Sequence, residues 1–258
     1  MTWLQYTHLE KLYGYLPGMA DALPTVFGMT ATEYAEARAG FAARASAAAL
    51  GLLAEPGFAA RVDALPFEEG QTVLAVGDSV TDDLQSWAEI LRCVLDQRKP
   101  GVRVVNNGLS AHTTTMVLRR WPATVAAVRP DWVLCGLGGN DVTRVGPDIQ
   151  VATDDSVANL RRLRAFAPAA RWAWLTPVPV DEDRVARFPA FQFGASSWRN
   201  VDILALAEKM RALDGPLVDL VSTFGTPPDP RLQGEDGVHP TLAGQTAITR
   251  AVVDRLAV

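Results

Sequence analysis

The stretch Thr72-Val-Leu-Ala-Val-Gly-Asp-Ser-Val80 decides the fold. Its first five residues carry no polar/apolar alternation, as expected of a strand buried on both faces. Gly77-Asp78 then breaks the run, and a helical pattern follows over Asp82–Leu95. The same sequence of events recurs along the chain. Strand-like runs at Val102–Asn106, Asp131–Gly136, Ala170–Thr176 and Leu217–Val221 are followed by helix-like runs at Thr114–Val128, Asp154–Phe166, Arg199–Leu213 and Leu242–Leu256. Five such βα units predict a five-stranded parallel sheet with right-handed crossovers and helices on both faces. In open sheets of this kind, active sites gather where the strands end.

Four short blocks fall at or near such loops: GDSV at Gly77–Val80, NNGLS at Asn106–Ser110, GGND at Gly138–Asp141 and DGVHP at Asp236–Pro240. Together they supply a Ser, a His, an Asp and several hydrogen-bond donors, the parts needed for acyl transfer to and from a serine. Taken singly, each block is weak. Ser79 alone reads as a helix N-cap, and NNG and GGND read as ordinary turns. Asp236 and His239, three residues apart in a Gly-containing loop, are spaced for a carboxylate to orient an imidazole. Three oxyanion donors are expected: the backbone N–H of Ser79, the backbone N–H of Gly108 and the side-chain amide of Asn140. No G-x-S-x-G occurs, so the nucleophile elbow of the α/β-hydrolases is not the template. One His and one Asp are too few for a metal site. The glycines around Gly136–Asp141 lack the last glycine and the immediate helix of a dinucleotide fingerprint.

The four blocks resemble those of the SGNH, or GDSL-type, serine hydrolases. The similarity runs from about Thr72 to the C-terminus, with Ser79, Gly108, Asn140 and His239 as the name-giving residues. This resemblance implies a flavodoxin-like three-layer α/β/α sandwich. It also implies a Ser79–His239–Asp236 triad, no cofactor and no metal, and a small-molecule ester as substrate. Hydrolysis through an acyl-enzyme is the leading reading. Acyl transfer to a sugar or other alcohol, and a non-catalytic binding protein on the same fold, stay open. So does the ester itself: lipid, acetylated sugar, aryl ester or thioester.

Residues 1–70 lie outside this pattern and read as a helical N-terminal extension to a hydrolase domain over 71–258. Thr30-Ala-Thr-Glu33 has capping-box spacing, the Ala-rich run Tyr34–Ala54 follows, and Glu55-Pro-Gly57 stops it. The apolar content of residues 1–70, with Trp3, Leu4, Tyr6, Leu12, Tyr13, Tyr15, Leu16 and Phe27, predicts that they pack beside the active-site mouth or make a subunit interface rather than form an independent domain. His112, Phe191 and Phe193 are expected to bind substrate. Asp82 and Asp83 read simply as acidic residues favouring a helix start, and His8 as remote from the chemistry.

Composition narrows the function further. Of 258 residues, 48% are hydrophobic and the formal net charge is −5, with no basic cluster, which argues against nucleic acid as a partner. The two cysteines read as buried thiols, not a disulfide framework. With neither a signal-peptide pattern nor an apolar run of spanning length, a cytoplasmic location is expected.

Overall fold

The computed structural model describes residues 3–257. Five parallel strands, Thr72–Gly77, Arg103–Asn106, Trp132–Gly136, Arg171–Leu175 and Leu217–Val218, form one sheet in the spatial order second, first, third, fourth, fifth. This is the flavodoxin-like order, with its switch point between the first and third strands. The register pairs Gly77 with Gly136 and Ala75 with Asn106. The loops carrying Ser79, the NNGLS block and the GGND block therefore leave the same edge of the sheet, side by side.

Each face of the sheet buries its own core. On one face Val73, Ala75, Leu134, Ala173 and Leu175 pack against helices Trp87–Arg98 and Leu242–Leu256. On the other, Val76, Cys135 and Trp174 meet Trp121, Leu160 and Leu206 from helices Thr114–Val128, Thr153–Phe166 and Asn200–Met210. Cys93 and Cys135 are free thiols.

Two elements differ from the sequence-based expectation, each for a local polar reason. The run expected as one helix over Asp82–Leu95 is two, Ser79–Asp82 and Trp87–Arg98. The Asp83 carboxylate accepts the N–H of Gln85 at 2.8 Å, drawing the backbone out of the helix, as acidic side chains do when they compete for nearby amides. The fifth strand stops at Val218 because Asp219 caps a helix over Leu220–Phe224, accepting from the N–H of Ser222. The segment after the fourth strand holds two short helices, Glu182–Arg187 and Pro189–Phe193. Ser196–Ser197 then pairs antiparallel with Arg144–Val145, just past the GGND block, which ties the two loops together.

In the N-terminal region, helix Ala31–Leu53 begins at a complete capping box. Thr30 Oγ1 accepts the N–H of Glu33 at 3.2 Å, and Glu33 accepts the N–H of Thr30 at 2.8 Å. Its Ala45, Ala49 and Leu52, with Phe58, Val62 and Leu65, share one buried cluster with Ile90, Leu91 and Val94. Alanine on this face lets the long helix approach helix Trp87–Arg98 closely and bury apolar surface at about 25 cal/mol per Å². Ahead of it, short helices Trp3–Tyr6 and Glu10–Tyr13 run back to the strand ends. Among the described residues no helix is long and apolar enough to cross a membrane.

Candidate active site

Ser79 opens the short helix after the first strand, with Asp78 as N-cap accepting from the N–H of Val80 at 3.0 Å. His239 lies in the loop before the last helix, 160 residues further on, and its Nε2 is 2.8 Å from Ser79 Oγ. Its Nδ1 is 2.6 Å from Asp236 Oδ2. The other carboxylate oxygen of Asp236 accepts two backbone N–H groups, from Val238 and His239, each at 2.9 Å. One oxygen thus shapes the loop while its twin faces the ring. Burial alone would push the Asp236 carboxyl up. The hydrogen bond and charge of His239, together with the two N–H groups, outweigh it and hold this carboxyl below the ordinary range. A carboxylate that stays ionised favours the tautomer with the proton on Nδ1, leaving the Nε2 lone pair for Ser79.

Asn140 reaches the same space from the third strand. Its Nδ2 donates one hydrogen to the carbonyl of His112 at 3.3 Å, leaving the second for another acceptor. Gly138, at φ +120°, makes the tight turn that presents it. The neighbouring Asp141 is fully buried and accepts from Thr114 and Ser156, so it ties helices Thr114–Val128 and Thr153–Phe166 to this loop.

Three sequence-based assignments need correction. The N–H of Gly108 is not free for an oxyanion: it donates to Asn106 Oδ1 at 3.0 Å. Glycine is needed there because a Cβ would lie 2.5 Å from the backbone N of Asp82. The loop instead presents Ala111, which lines the pocket with Ser79 and Asn140 and has a left-handed φ of +63°. Its N–H donates to no protein group among the described residues. Neither does that of Ser79. Sequence offered no signal for Ala111, since a left-handed position filled by alanine lacks the glycine that usually marks it. The second correction concerns His112. It gives its carbonyl to Asn140, while its ring lies outside the pocket lining. Burial, then the charge of Arg120, lower the pKa of that ring. The third is Phe193, which is 95% exposed and away from the pocket, because the helix Pro189–Phe193 turns Phe191 inward and Phe193 out. Phe191 does line it, between Phe188 and Trp198 at centroid distances of 5.0 and 4.9 Å.

The other wall of the pocket comes from the N-terminal segment. The ring of Tyr6 packs on the imidazole of His239, with centroids 4.6 Å apart. The Tyr6 hydroxyl accepts from Gln5 Nε2 at 3.0 Å, and Gln5 also donates to Asp83 Oδ2 at 3.0 Å. Burial above all, then the charges of Asp83 and Asp236, raise the Tyr6 pKa and keep the hydroxyl neutral. His8 Nδ1 and Lys11 Nζ meet Asp82 Oδ1 at 2.7 and 2.6 Å. The second oxygen of Asp82 accepts the N–H of Ser110 at 3.0 Å, and the Ser110 hydroxyl donates to the carbonyl of Tyr6. Asp82 and Asp83, far from merely starting a helix, anchor this segment to the loop that carries Ala111. Among the described residues no cluster of His, Cys, Asp and Glu could hold a metal ion.

Residues 75–247 match the model of the GDSL-like lipase/acylhydrolase family, and the chain belongs to that family of carboxylic ester hydrolases. An acetylxylan esterase of Geobacillus stearothermophilus is 28% identical over 212 residues, covering 70% of this chain and 92% of its own. Esterase TesA of Pseudomonas aeruginosa is 39% identical over 79 residues, which is 29% of this chain and 39% of that one. A solved structure of TesA superposes with a TM-score of 0.53 at 26% identity, over 72% of this chain and 98% of the other. An α/β-hydrolase enzyme from the metagenome of Lake Arreo gives a TM-score of 0.56 at 25% identity, over 74% and 96% of the two chains. The family match starts at residue 75, so Trp3–Lys11 lie outside it.

Proposed function

We propose that this chain hydrolyses carboxylic esters through a Ser79–His239–Asp236 triad and an acyl-enzyme. The observation that carries the reading is the unbroken line from Asp236 Oδ2 to His239 Nδ1 at 2.6 Å and from His239 Nε2 to Ser79 Oγ at 2.8 Å. Nε2 takes the Ser79 proton as Oγ bonds to the ester carbonyl carbon. The oxygen that becomes negative is held by the N–H groups of Ser79 and Ala111 and by the free Nδ2 hydrogen of Asn140, donors in place before charge develops. The imidazolium, stabilised by Asp236, gives its proton to the departing alcohol oxygen as the carbon–oxygen bond breaks. A water molecule then loses a proton to Nε2 and attacks the acyl carbon. Ser79 regains its proton and the acid leaves.

A fluorophosphonate probe tests this directly. It should label wild-type protein at Ser79, and labelling should vanish in Ser79→Ala and fall sharply in His239→Ala. Labelling at another serine, or none, would remove the reading.

A further inference from the structure

The pocket in front of Ser79 has a composition and a shape that the proposed triad does not require. It is a cavity of about 280 Å³ bordered by Ser79, Asn140 and His239, and among the described residues no Asp, Glu, Lys or Arg side chain lines it. Its two long walls are aromatic. Phe188, Phe191 and Trp198 form one, rigidified because Trp198 Nε1 donates to the carbonyl of Gly139 at 3.0 Å. Trp3 and Tyr6 form the other. These two are three residues apart on one helical turn and so share a face, while Leu4 points to the core at 1% exposure. Trp3 stands 69% exposed at the rim.

The position of His239 says which end of an ester this pocket takes. The group that receives the proton from Nε2 is the departing alcohol oxygen, so the alcohol portion must lie on the imidazole side. The Tyr6 ring packs on that imidazole, and Val238 adjoins it in the lining. Two facing aromatic walls without charge suit a flat apolar ring, by stacking and edge contacts at about 4.5–7 Å between centroids. A polyhydroxylated sugar would strip water from its hydroxyls there and find few partners.

We infer that residues 3–7 are a specificity element that seats an apolar, ring-bearing alcohol or phenol moiety of the ester between Trp3/Tyr6 and Phe188/Phe191/Trp198. This inference rests on the proposed triad for its orientation but has a readout of its own.

The kinetic arm uses esters whose alcohols differ little in acidity. Benzyl acetate and methyl acetate compare the alcohol side; methyl phenylacetate and methyl acetate compare the acyl side. In wild type, kcat/KM for benzyl acetate should exceed that for methyl acetate by about ten- to a hundredfold, the scale of removing a phenyl-sized apolar surface from water. Trp3→Ala and Tyr6→Ala should each cut that ratio about three- to tenfold, the worth of one aromatic contact. Phe193→Ala, outside the pocket, should leave it alone. The binding arm titrates benzyl acetate into Ser79→Ala protein by calorimetry, and adding Trp3→Ala should weaken the Kd by a similar factor. Should both the ratio and the Kd ignore Trp3 and Tyr6, or should the preference follow the ring on the acyl side, the inference is overturned. Should no Ser79-dependent hydrolysis occur while Trp3 still governs binding, the pocket assignment survives and the esterase reading falls.

Discussion

The floor and the wall of this site are held by different forces. The floor, Ser79, Ala111, Asn140 and His239, sits on loops at the edge of a sheet whose strands are largely buried, so backbone geometry fixes it. The wall, residues 3–11, enters from outside and is fastened mainly by side chains: Gln5 to Asp83, and His8 and Lys11 to Asp82. The floor lies within the segment matched by the family, and the wall does not. The Ser79–His239–Asp236 arrangement is therefore built onto the sheet, while one wall of the pocket in front of it is attached from outside the family segment. The two can be broken separately.

The largest effect should come from the floor. Ser79→Ala should lower kcat by about three to six orders of magnitude, and His239→Ala with it should cost little more, since triad members act as a unit. Steady-state hydrolysis of an activated aryl ester measures this, and a residual rate within tenfold of wild type would point to another nucleophile. The matching blow to the wall is Asp82→Ala. It leaves the His8 ring, whose side chain is 1% exposed, without its hydrogen-bond partner, Lys11 without its counter-charge and the N–H of Ser110 without its acceptor. Removing one partner from a buried charge cluster costs about 3–5 kcal/mol. Because the N–H of Leu84 donates to the carbonyl of Gln5 at 3.1 Å, its hydrogen exchange reports on wall opening. That amide should lose protection by roughly a hundredfold or more, while amides in the first strand hold theirs. Unchanged exchange at Leu84 would mean that apolar packing, through Leu4, does the fastening instead.

Legibility in the sequence follows the same division. The five strands, most of the helices after them and the loops that bring Ser79, Asp236 and His239 together could be picked out, because buried parallel strands read as unbroken apolar runs and the loops at their ends carry glycine punctuation. Ala111 was hidden because its left-handed backbone is occupied by a residue that does not advertise it. Gly108 drew the oxyanion assignment for the opposite reason: its glycine serves close packing against Asp82, not access to substrate. The wall was invisible at the level of residues. Its contacts join positions some 70 to 100 apart in sequence, such as His8 with Asp82 and Tyr6 with Ser110, and no periodicity encodes a pairing at that range.

Asn140→Ala comes next in size. Its amide meets the carbonyl of His112 in the resting site and has one hydrogen left for the charge that develops during attack. A loss of roughly a hundred- to a thousandfold in kcat is expected, with a smaller change in KM, because the contact matters most as the oxyanion forms. A change confined to KM would place Asn140 in ground-state binding. Ala111→Gly sharpens the same point from the other side. Relief of the left-handed φ should offset the entropy glycine adds to the unfolded chain, so stability should shift by less than about 1 kcal/mol and the N–H donor remains. Gly108→Ala should instead destabilise the fold, since a Cβ there meets the backbone of Thr81 and Asp82 at 2.8 and 2.5 Å.

Effects on the order of 1 kcal/mol separate floor from wall by pH. Asp78, under the floor, and Asp83, behind the wall, both have carboxyls pushed by burial from the ordinary 3.8 to about 6. Folded, each keeps its proton to about pH 6; unfolded, each releases it near 3.8. Between these values the folded state binds the extra protons, so these two groups make stability fall as pH rises from about 4 to 6, after which their cost is constant. Replacing either by Asn removes the titration, but their surroundings differ. Asp78 accepts from the N–H of Val80 through Oδ1, a bond an amide oxygen can keep. Asp83 accepts from Gln85 N–H through one oxygen and from Gln5 and Gln245 Nε2 through the other, at 3.0 and 3.3 Å. An amide there turns its own NH₂ toward two donors. Asp78→Asn should therefore gain on the order of 1 kcal/mol over wild type at pH 8, and that gain should shrink toward pH 4. Asp83→Asn should lose its share of the pH slope without the gain, because the Gln5 bond that helps hold the wall is broken. Urea melts of the three proteins from pH 4 to 8 give the differences directly. Equal gains for the two variants would show that Gln5 contributes nothing to holding the wall, and a flat difference for Asp78→Asn across the range would show that its carboxyl does not titrate there.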